Sequence, residues 1–524
     1  MEDNLAHSYN RRKSHVLHLE VTFPSDCRLI QCDLGRILTI DDLPDDVLLA
    51  IFDLYVFKCQ DLHLLDVHQD KIESWQSLVH VCLRWRGLVF GSPRRLNLQL
   101  YYNPRRSAEK ILGVWPALPL LISGCINPTM DNFITELEHS DRICQIDLFF
   151  YSTSQIEKLW TAMQVPFPEL TVLRLSHFKY SSSSMPVLPD SILGGSAPRL
   201  RYVYLDGILF PGLPKLLMSA THLVKLYLHN IPHSGYISPE AMATCLSTLT
   251  SLETLQLEYE SRQSSPDQEN RRSPPPTRSI LPALTAFGFK GVNEYLEELV
   301  AQINTPRLVQ LWTTFFSDIY FDAPELLQFI TQTFEAPKDV YVVLNSQTAS
   351  VILQRQVPPV DVRVGISCRE PDSQLSSVAP ICTSFLPLLT TTENLYIHVQ
   401  LRSELDWEDG IENTEWLELL DPFTAVKDLY LSKQSVPRIA PALQELTEEK
   451  TTEVLPTLQN LFLEGFQPRE SVQEGIEQFI SARQLTNLPV AISVWDRDLA
   501  QDESEVEKPE EVDDWLPASL AIIS

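Results

Sequence analysis

Two patterns of hydrophobic residues divide the chain into a short N-terminal part and a long C-terminal part. Apolar residues recur at helical spacing from Val47 to Tyr55, after Leu43-Pro44-Asp45-Asp46, which suits a first helical turn. A second apolar stripe predicts one helix from Ser74 to Phe90, after a polar loop over 58–73. Two short amphipathic helices cannot build a comfortable core alone, so they need the rest of the chain or a partner.

From about residue 140 a different pattern recurs, apolar-x-x-apolar-x-apolar, at intervals of roughly 23 to 34 residues, which is typical of leucine-rich repeats. The first positions of the clearer copies are Ile143, Leu170, Leu200, Leu223, Leu252, Leu284, Val426 and Leu458, and weaker copies begin at Leu308 and Thr392. Each copy predicts a short strand with its leucines pointing inward and a helical return to the next strand. Stacked units of this kind make a solenoid with a curved parallel sheet.

The residues between the strand leucines should face the other side of that sheet. At the middle position, six of nine are aromatic, the set being Arg174, Tyr204, Tyr227, Gln256, Gly288, Trp312, Tyr396, Tyr430 and Phe462. Exposed aromatic residues on a rigid sheet are typical of binding hot spots. We therefore hypothesise a target-protein site centred on Tyr202, Tyr204, Lys225, Tyr227 and Trp312. The alternative is that aromatic residues are favoured in strands and only shield the sheet.

The N-terminal part also resembles a known family. LPDDVLLAIF, followed by VHVCLRWRGLVFGSPRRLNLQL, is similar to the F-box motif, and Val81–Arg86, Ser92–Leu96 and Trp115–Leu120 resemble F-box proteins of mushroom-forming fungi. The resemblance spans residues 40–122. It implies docking on the small adaptor of SCF-type cullin–RING ubiquitin ligases and, through the adaptor, on a cullin. Carried over residue by residue, it implies an apolar docking surface of Leu43, Pro44, Ile51, Phe52, Val81, Cys82 and Trp85.

The predicted fold is therefore α/β, with a small N-terminal helical F-box followed by an irregular leucine-rich-repeat-like solenoid. We expect an N-terminal extension (1–36), the F-box (37–92), a connecting segment (93–139), the solenoid (140–497) and an acidic tail (498–524). Within the solenoid, residues 261–279 are rich in Ser, Pro and charge and are interpreted as a disordered insertion. Residues 318–391 contain no clear repeat and are interpreted as irregular, either diverged repeats or an inset.

Composition narrows the classes of partner. The net charge of −28 argues against nucleic acid, although the stretch 84–106 is locally basic. The nine cysteines are dispersed and lack metal-site spacing, so we expect reduced thiols in the cytoplasm or nucleus and no metal. The absence of a long apolar run predicts no membrane span. No cofactor is expected, because no glycine-rich phosphate loop is present.

No motif of a hydrolase, kinase or metalloenzyme was found, so we do not expect intrinsic catalysis. The favoured hypothesis is a substrate-recognition subunit of an SCF-type ligase, with the F-box on the adaptor and the repeats on a target protein. One alternative is a non-catalytic scaffold or regulator that binds the adaptor without a cullin. Another is a hydrolase or transferase whose site lies in 318–391, which would require a large pocket with converging titratable groups there.

Overall fold

The computed structural model describes sixteen stretches of the chain, which form two compact units divided after Leu96. The described residues are 40–61, 74–93, 95–96, 98–102, 118–126, 137–150, 156–177, 186–211, 213–261, 278–316, 323–355, 360–368, 374–400, 413–446, 453–465 and 470–495. The predicted extension (1–36) and acidic tail (498–524) lie outside these residues, as does 262–277 of the predicted insertion.

The described part of the first unit is helical. After a 3-10 turn at Ile40–Asp42, its helices are α1 (Asp45–Asp61), α2 (Ser74–Val79) and α3 (Leu83–Gly91). The prediction of one helix from Ser74 to Phe90 was wrong, because the chain breaks between α2 and α3. Cys82 is extended there, and its Sγ accepts a hydrogen bond from the Trp85 main-chain N–H at 3.4 Å, which caps α3.

The core of the first unit lies where α1 meets the other two helices. Phe52 is fully buried and its ring centroid lies 4.7 Å from that of Trp85. Arg84 ties α3 to the start of α1, because its Nη2 donates to the Leu43 carbonyl at 2.7 Å and to the Asp45 carboxylate at 2.5 Å. The other buried apolar residues of the helices are Leu48, Leu49, Val56, Trp75, Leu78, Val79 and Val89.

The second unit is built on one large sheet, which in the described residues has sixteen strands in the order β1-β2-β3-β4-β5-β6-β7-β9-β11-β14-β13-β12-β15-β16-β17-β18. Strands β8 and β10 form a separate pair. The strands are β1 (Leu100–Tyr102), β2 (Leu120–Ile126), β3 (Ile143–Phe150), β4 (Val172–His177), β5 (Tyr202–Asp206), β6 (Lys225–Ile231), β7 (Thr254–Tyr259), β8 (Ser279–Ile280), β9 (Ala286–Gly291), β10 (Ile303–Asn304), β11 (Gln310–Phe316), β12 (Asp339–Asn345), β13 (Thr348–Arg355), β14 (Val360–Ser367), β15 (Asn394–Gln400), β16 (Asp428–Leu431), β17 (Asn460–Glu464) and β18 (Ala491–Trp495).

Helices return the chain between many of these strands. They are α4 (Ile156–Ala162), α5 (Leu213–Ser219), α6 (Pro239–Ser247), α7 (Asn293–Val300), α8 (Pro324–Thr333), α9 (Gln374–Ser384), α10 (Leu386–Leu389), α11 (Asn413–Leu420), α12 (Val436–Gln444) and α13 (Glu470–Leu485). Helices α5, α6, α7 and α8 contact one another in chain order, and so do α9, α11, α12 and α13. The helices therefore pack side by side, as repeated strand–helix units require.

The repeated leucines form the core of the second unit. Alternate residues are buried in most strands of the large sheet, and the set with no exposed surface includes Leu173, Val203, Leu226, Leu255, Phe287, Leu311, Leu395, Leu429 and Leu461. The turns after several strands are also filled by apolar residues, namely Ile208, Ile231 and Val292. The prediction of an α/β fold with a large, mostly parallel sheet is confirmed.

The segment interpreted as irregular contributes a regular part of the same sheet. Strands β12, β13 and β14 form an antiparallel meander. Its two outer strands continue the parallel sheet, because β14 pairs with β11 and β12 pairs with β15. The 318–391 segment therefore holds two hairpins set into the sheet instead of a strand–helix repeat, and the sheet remains continuous across it.

Candidate interaction surface

Strand register places one residue of each strand from β3 to β18 in a single row across the sheet, which we call the central row. From one side to the other it contains Asp147, Arg174, Tyr204, Tyr227, Gln256, Gly288, Trp312, Arg363, Ile352, Tyr341, Tyr396, Tyr430, Phe462 and Ser493. Because strand side chains alternate, these residues point away from the buried leucines. The aromatic members are half-buried, so part of each ring reaches solvent.

Three tyrosines on β5 and β6 form what we call the tyrosine cluster: Tyr202, Tyr204 and Tyr227. The Tyr202 and Tyr227 ring centroids are 5.5 Å apart and tilted by 37°, and those of Tyr204 and Tyr227 are 6.1 Å apart and tilted by 45°. Lys225 lies beside them in register with Tyr202 and is exposed. Tilted rings leave part of their faces uncovered, so this cluster can accept a partner's apolar or cationic side chain.

Arg174 anchors the tyrosine cluster from the neighbouring strand β4. Its Nη2 donates to the Tyr202 hydroxyl at 3.1 Å, and its Cζ lies 5.5 Å from the ring centroids of both Tyr202 and Tyr204. Its Nη1 lies 3.6 Å from the Asp147 carboxylate. Burial raises the pKa of Asp147 to about 6, although the guanidinium opposes that shift. The arginine thus holds the rings in place and neutralises a buried acid.

A loose chain of polar groups continues from Tyr204. Its hydroxyl lies 3.5 Å from His229 Nδ1, and His229 Nε2 lies 3.8 Å from Glu258 Oε1. These separations are longer than those of a working proton relay. Burial also raises the pKa of Tyr204, so its hydroxyl keeps its proton and can donate a hydrogen bond.

A second group, which we call the aromatic stack, consists of Tyr341, Tyr396, Tyr430 and Phe462. Successive ring centroids lie 4.4, 4.3 and 4.4 Å apart, and the interplanar angles are 11°, 14° and 6°. Burial, helped by the Asp339 charge, raises the pKa of Tyr341 to about 12. In this group each ring covers the face of its neighbour, so the stack stabilises the sheet and presents mainly ring edges to solvent.

A row of paired acids and amides borders the aromatic stack. Asn394 Nδ2 donates to Asp339 at 2.6 Å, and Asn460 Nδ2 donates to Asp428 at 2.7 Å. On the other border, the Trp495 indole packs edge-on against Tyr430, with centroids 5.5 Å apart. This end of the sheet is thus aromatic in the centre and acidic at its margin.

The structure brings four of the five predicted target-site residues together and leaves one apart. Tyr202, Tyr204, Lys225 and Tyr227 share β5 and β6. Trp312 lies on β11, with β7 and β9 between it and Tyr227, a separation of about 14 Å at ordinary strand spacing.

The sequence reasoning missed Tyr341, Trp495, Asp147, His229 and Glu258. A signal for Tyr341 was present, because Pro337-x-x-Val340-x-Val342 has the repeat spacing with proline in place of the first apolar residue.

The structure distributes the predicted adaptor-binding residues between surface and core. Ile51 and Val81 are exposed by 40% and 58%, and Pro44 is also exposed. Leu43, Cys82 and Trp85 are half-buried, whereas Phe52 is fully buried. Phe52 therefore packs inside the unit and is not part of its surface.

Helix α1 has a second apolar face besides the one that builds the core. The buried residues Leu48, Phe52 and Val56 are four residues apart and share one face of the helix. A second face is also apolar but exposed, and it carries Val47, Ile51, Leu54 and Tyr55. Val81 and Leu83, at the break before α3, are exposed as well. We call these six residues the exposed apolar set: Val47, Ile51, Leu54, Tyr55, Val81 and Leu83.

No group of three or more His, Cys, Asp or Glu side chains able to hold a metal ion occurs among the described residues. A hollow in 318–391 is lined by Phe334, Leu353 and Leu388 among others, and its 10 Å³ has room for about one water molecule. Within the described part of the chain, no helix is long and apolar enough to cross a membrane.

Comparisons with known proteins add only a distant likeness. No family model matches the chain, and no curated protein matches it. Among solved structures, an internalin (InlF) from Listeria monocytogenes is similar, with 11% sequence identity and a TM-score of 0.23, over 67% of this chain and 81% of that chain.

Proposed function

We propose that this protein is the substrate-recognition subunit of an SCF-type ubiquitin ligase. In this proposal the first unit docks on the adaptor, which carries the cullin, and the sheet of the second unit binds a target protein. The chain itself performs no chemistry. It raises the effective concentration of a target lysine near the conjugating enzyme that the ligase holds.

The observation that carries the proposal is the two-sided apolar character of α1. A helix that is apolar on both sides is normally covered on both sides, yet the exposed apolar set remains 40–81% accessible. Complete burial of one such side chain is worth about 1.5–3 kcal/mol, so covering all six offers on the order of 5–10 kcal/mol before the costs of association. A helix-in-groove contact is the ordinary use of such a stripe.

The resemblance to the F-box motif supports the identity of the partner. The stretch that carries it includes Ile51 and Val81 from the exposed apolar set. Phe52 and Trp85, which the resemblance also implies, contact each other and hold α1 against α3. We therefore assign direct contact with the adaptor to Ile51 and Val81, and a supporting role to Phe52 and Trp85.

Co-expression with the adaptor and a cullin, followed by purification through this chain, tests the proposal. Wild type should recover both partners, and Ile51→Asp combined with Leu54→Asp should recover neither while staying folded, because both side chains are exposed. Leu485→Asp is the matched control, since Leu485 is 74% exposed on the second unit and should leave recovery unchanged.

Each other outcome of this experiment has a definite meaning. Recovery of the adaptor without the cullin would replace the proposal with the scaffold alternative. Failure of folded wild type to recover either partner would refute it, as would a double variant that behaves like Leu485→Asp.

A further inference from the structure

Strand β18 is the last strand of the described sheet. It pairs with β17 and with no other described strand. Ile492 and Val494 are 44% and 68% exposed, although their register partners Leu461 and Leu463 are almost completely buried. No proline or charged residue lies between Ala491 and Trp495 to discourage another strand from pairing there.

The aromatic stack is open at the same edge. At its other end, the register partner of Tyr341 is Ile352, an aliphatic side chain that can cover the outer ring. At this end the register partner of Phe462 is Ser493, which is too short to cover the ring. Within the described part of the chain, the register therefore leaves the outer face of Phe462 without a stacking neighbour, at a position one ring spacing of about 4 Å beyond the last member.

The charged side chains on this part of the sheet are acidic. On the face of β12 and β15 to β18 that carries the stack, the charged residues at described strand positions are Asp339, Asp428 and Glu464. Glu464 shares β17 with Phe462, Asp428 lies on the next strand and Asp339 lies three strands away. Glu464 lies two residues from Phe462 on the same face, and its Oε2 accepts the main-chain N–H of Lys433 at 3.0 Å. A ring face beside carboxylates favours a planar cation. A guanidinium group can stack on the ring and also hydrogen-bond a carboxylate, and it does so better than an ammonium group.

We infer that β18 and the open end of the stack form one site for an extended partner segment with the pattern apolar–Arg–apolar. A strand added to β18 places the residue opposite Ser493 about 10 Å from β17, and so about 6 Å from the stacking position on the Phe462 face, which an extended arginine side chain can reach. Its two neighbours then point to the other face and cover Ile492 and Val494. The inference rests on the proposed function only in assigning this segment to the target protein.

Fluorescence anisotropy with the purified full chain tests the inference directly. The probes are three labelled peptides in which Val-Arg-Val, Val-Lys-Val or Val-citrulline-Val stands between serines. We expect the arginine peptide to bind at least about tenfold more tightly than the other two. Citrulline keeps the planar shape of the guanidinium group without its charge, whereas lysine keeps the charge on an ammonium group that is not planar. Equal binding of the arginine and citrulline peptides would overturn the inference without any change to the protein.

Two variants locate the site. Ser493→Tyr should extend the stack into the empty position and abolish preferential binding of the arginine peptide, whereas Ser247→Tyr, at an exposed serine on α6, should bind like wild type. Wild-type affinity in Ser493→Tyr would overturn the inference.

Sedimentation of the chain alone addresses the competing occupant. A dimer that Val494→Lys dissociates would assign this edge to a second copy and would also overturn the inference. Because neither assay contains the adaptor, failure here leaves adaptor docking standing, and failure of adaptor recovery leaves this site standing.

Discussion

Replacing Tyr430 with alanine would remove the centre of the aromatic stack. The Tyr430 ring contacts Tyr396 at 4.3 Å and Phe462 at 4.4 Å, both nearly parallel. Such pairs are worth about 0.5–1.5 kcal/mol each beyond burial, so the two contacts contribute about 1–3 kcal/mol. The lost burial of a half-buried ring brings the expected loss of local stability to about 2–4 kcal/mol.

Hydrogen–deuterium exchange of peptides that cover β15 to β17 measures this loss as a local opening free energy. A loss of 2–4 kcal/mol corresponds to exchange that is about 30- to 700-fold faster. Tyr430→Phe is the control, because it keeps both ring contacts and removes only the hydroxyl, so exchange should be at most about fivefold faster. If the alanine and phenylalanine variants exchange at the same rate, the stack does not stabilise the sheet and our reasoning is wrong.

Three further predictions concern other parts of the molecule. Phe52→Ala should destabilise the first unit by about 3–5 kcal/mol, because Phe52 is fully buried against Trp85, and hydrogen exchange in α1 to α3 would measure the effect. The Asp147 carboxyl, whose pKa is raised from 3.8 to about 6, should contribute stability that is complete below pH 4 and is lost as pH rises through 6, so its NMR titration should have a midpoint near 6 rather than near 4. Gly207→Ala should cost about 1–2 kcal/mol in thermal or denaturant unfolding, because Gly207 has a φ of +63° and an added Cβ would lie 3.0 Å from the His177 carbonyl oxygen.

The parallel sheet could be predicted because its signal is local and repeated. Most strands alternate buried and half-buried residues, and each repeat uses the same spacing, so Leu226 and Leu255 identify the same position in successive strands. Nine of the fourteen central-row residues follow from that alignment alone. The sequence could not show that Tyr202 and Tyr227 are tilted whereas Tyr396 and Tyr430 are stacked, because this difference depends on neighbours such as Arg174.

The missed features depend on contacts that are distant in sequence. The meander of β12 to β14 has the alternation of strands, but only β12 has the repeat spacing, and there Pro337 replaces the first apolar residue, so a search for apolar repeats passes over it. The break before α3 depends on the sulfur of Cys82, which caps that helix. The apolar stripe continues through the break, so the sequence pattern alone does not reveal it. The two-sided character of α1 was hidden because Phe52 and Ile51 are both apolar, and only their burial separates core from surface.

The most direct test of the proposed function is a hydrogen-exchange footprint of the full chain with and without the adaptor. At saturating adaptor, we expect slower exchange in α1 and in residues 80–83, which carry the exposed apolar set. Peptides from β5 and β6, which carry the tyrosine cluster, should be unchanged. Protection confined to the second unit, or no protection at all, would contradict adaptor docking through the first unit.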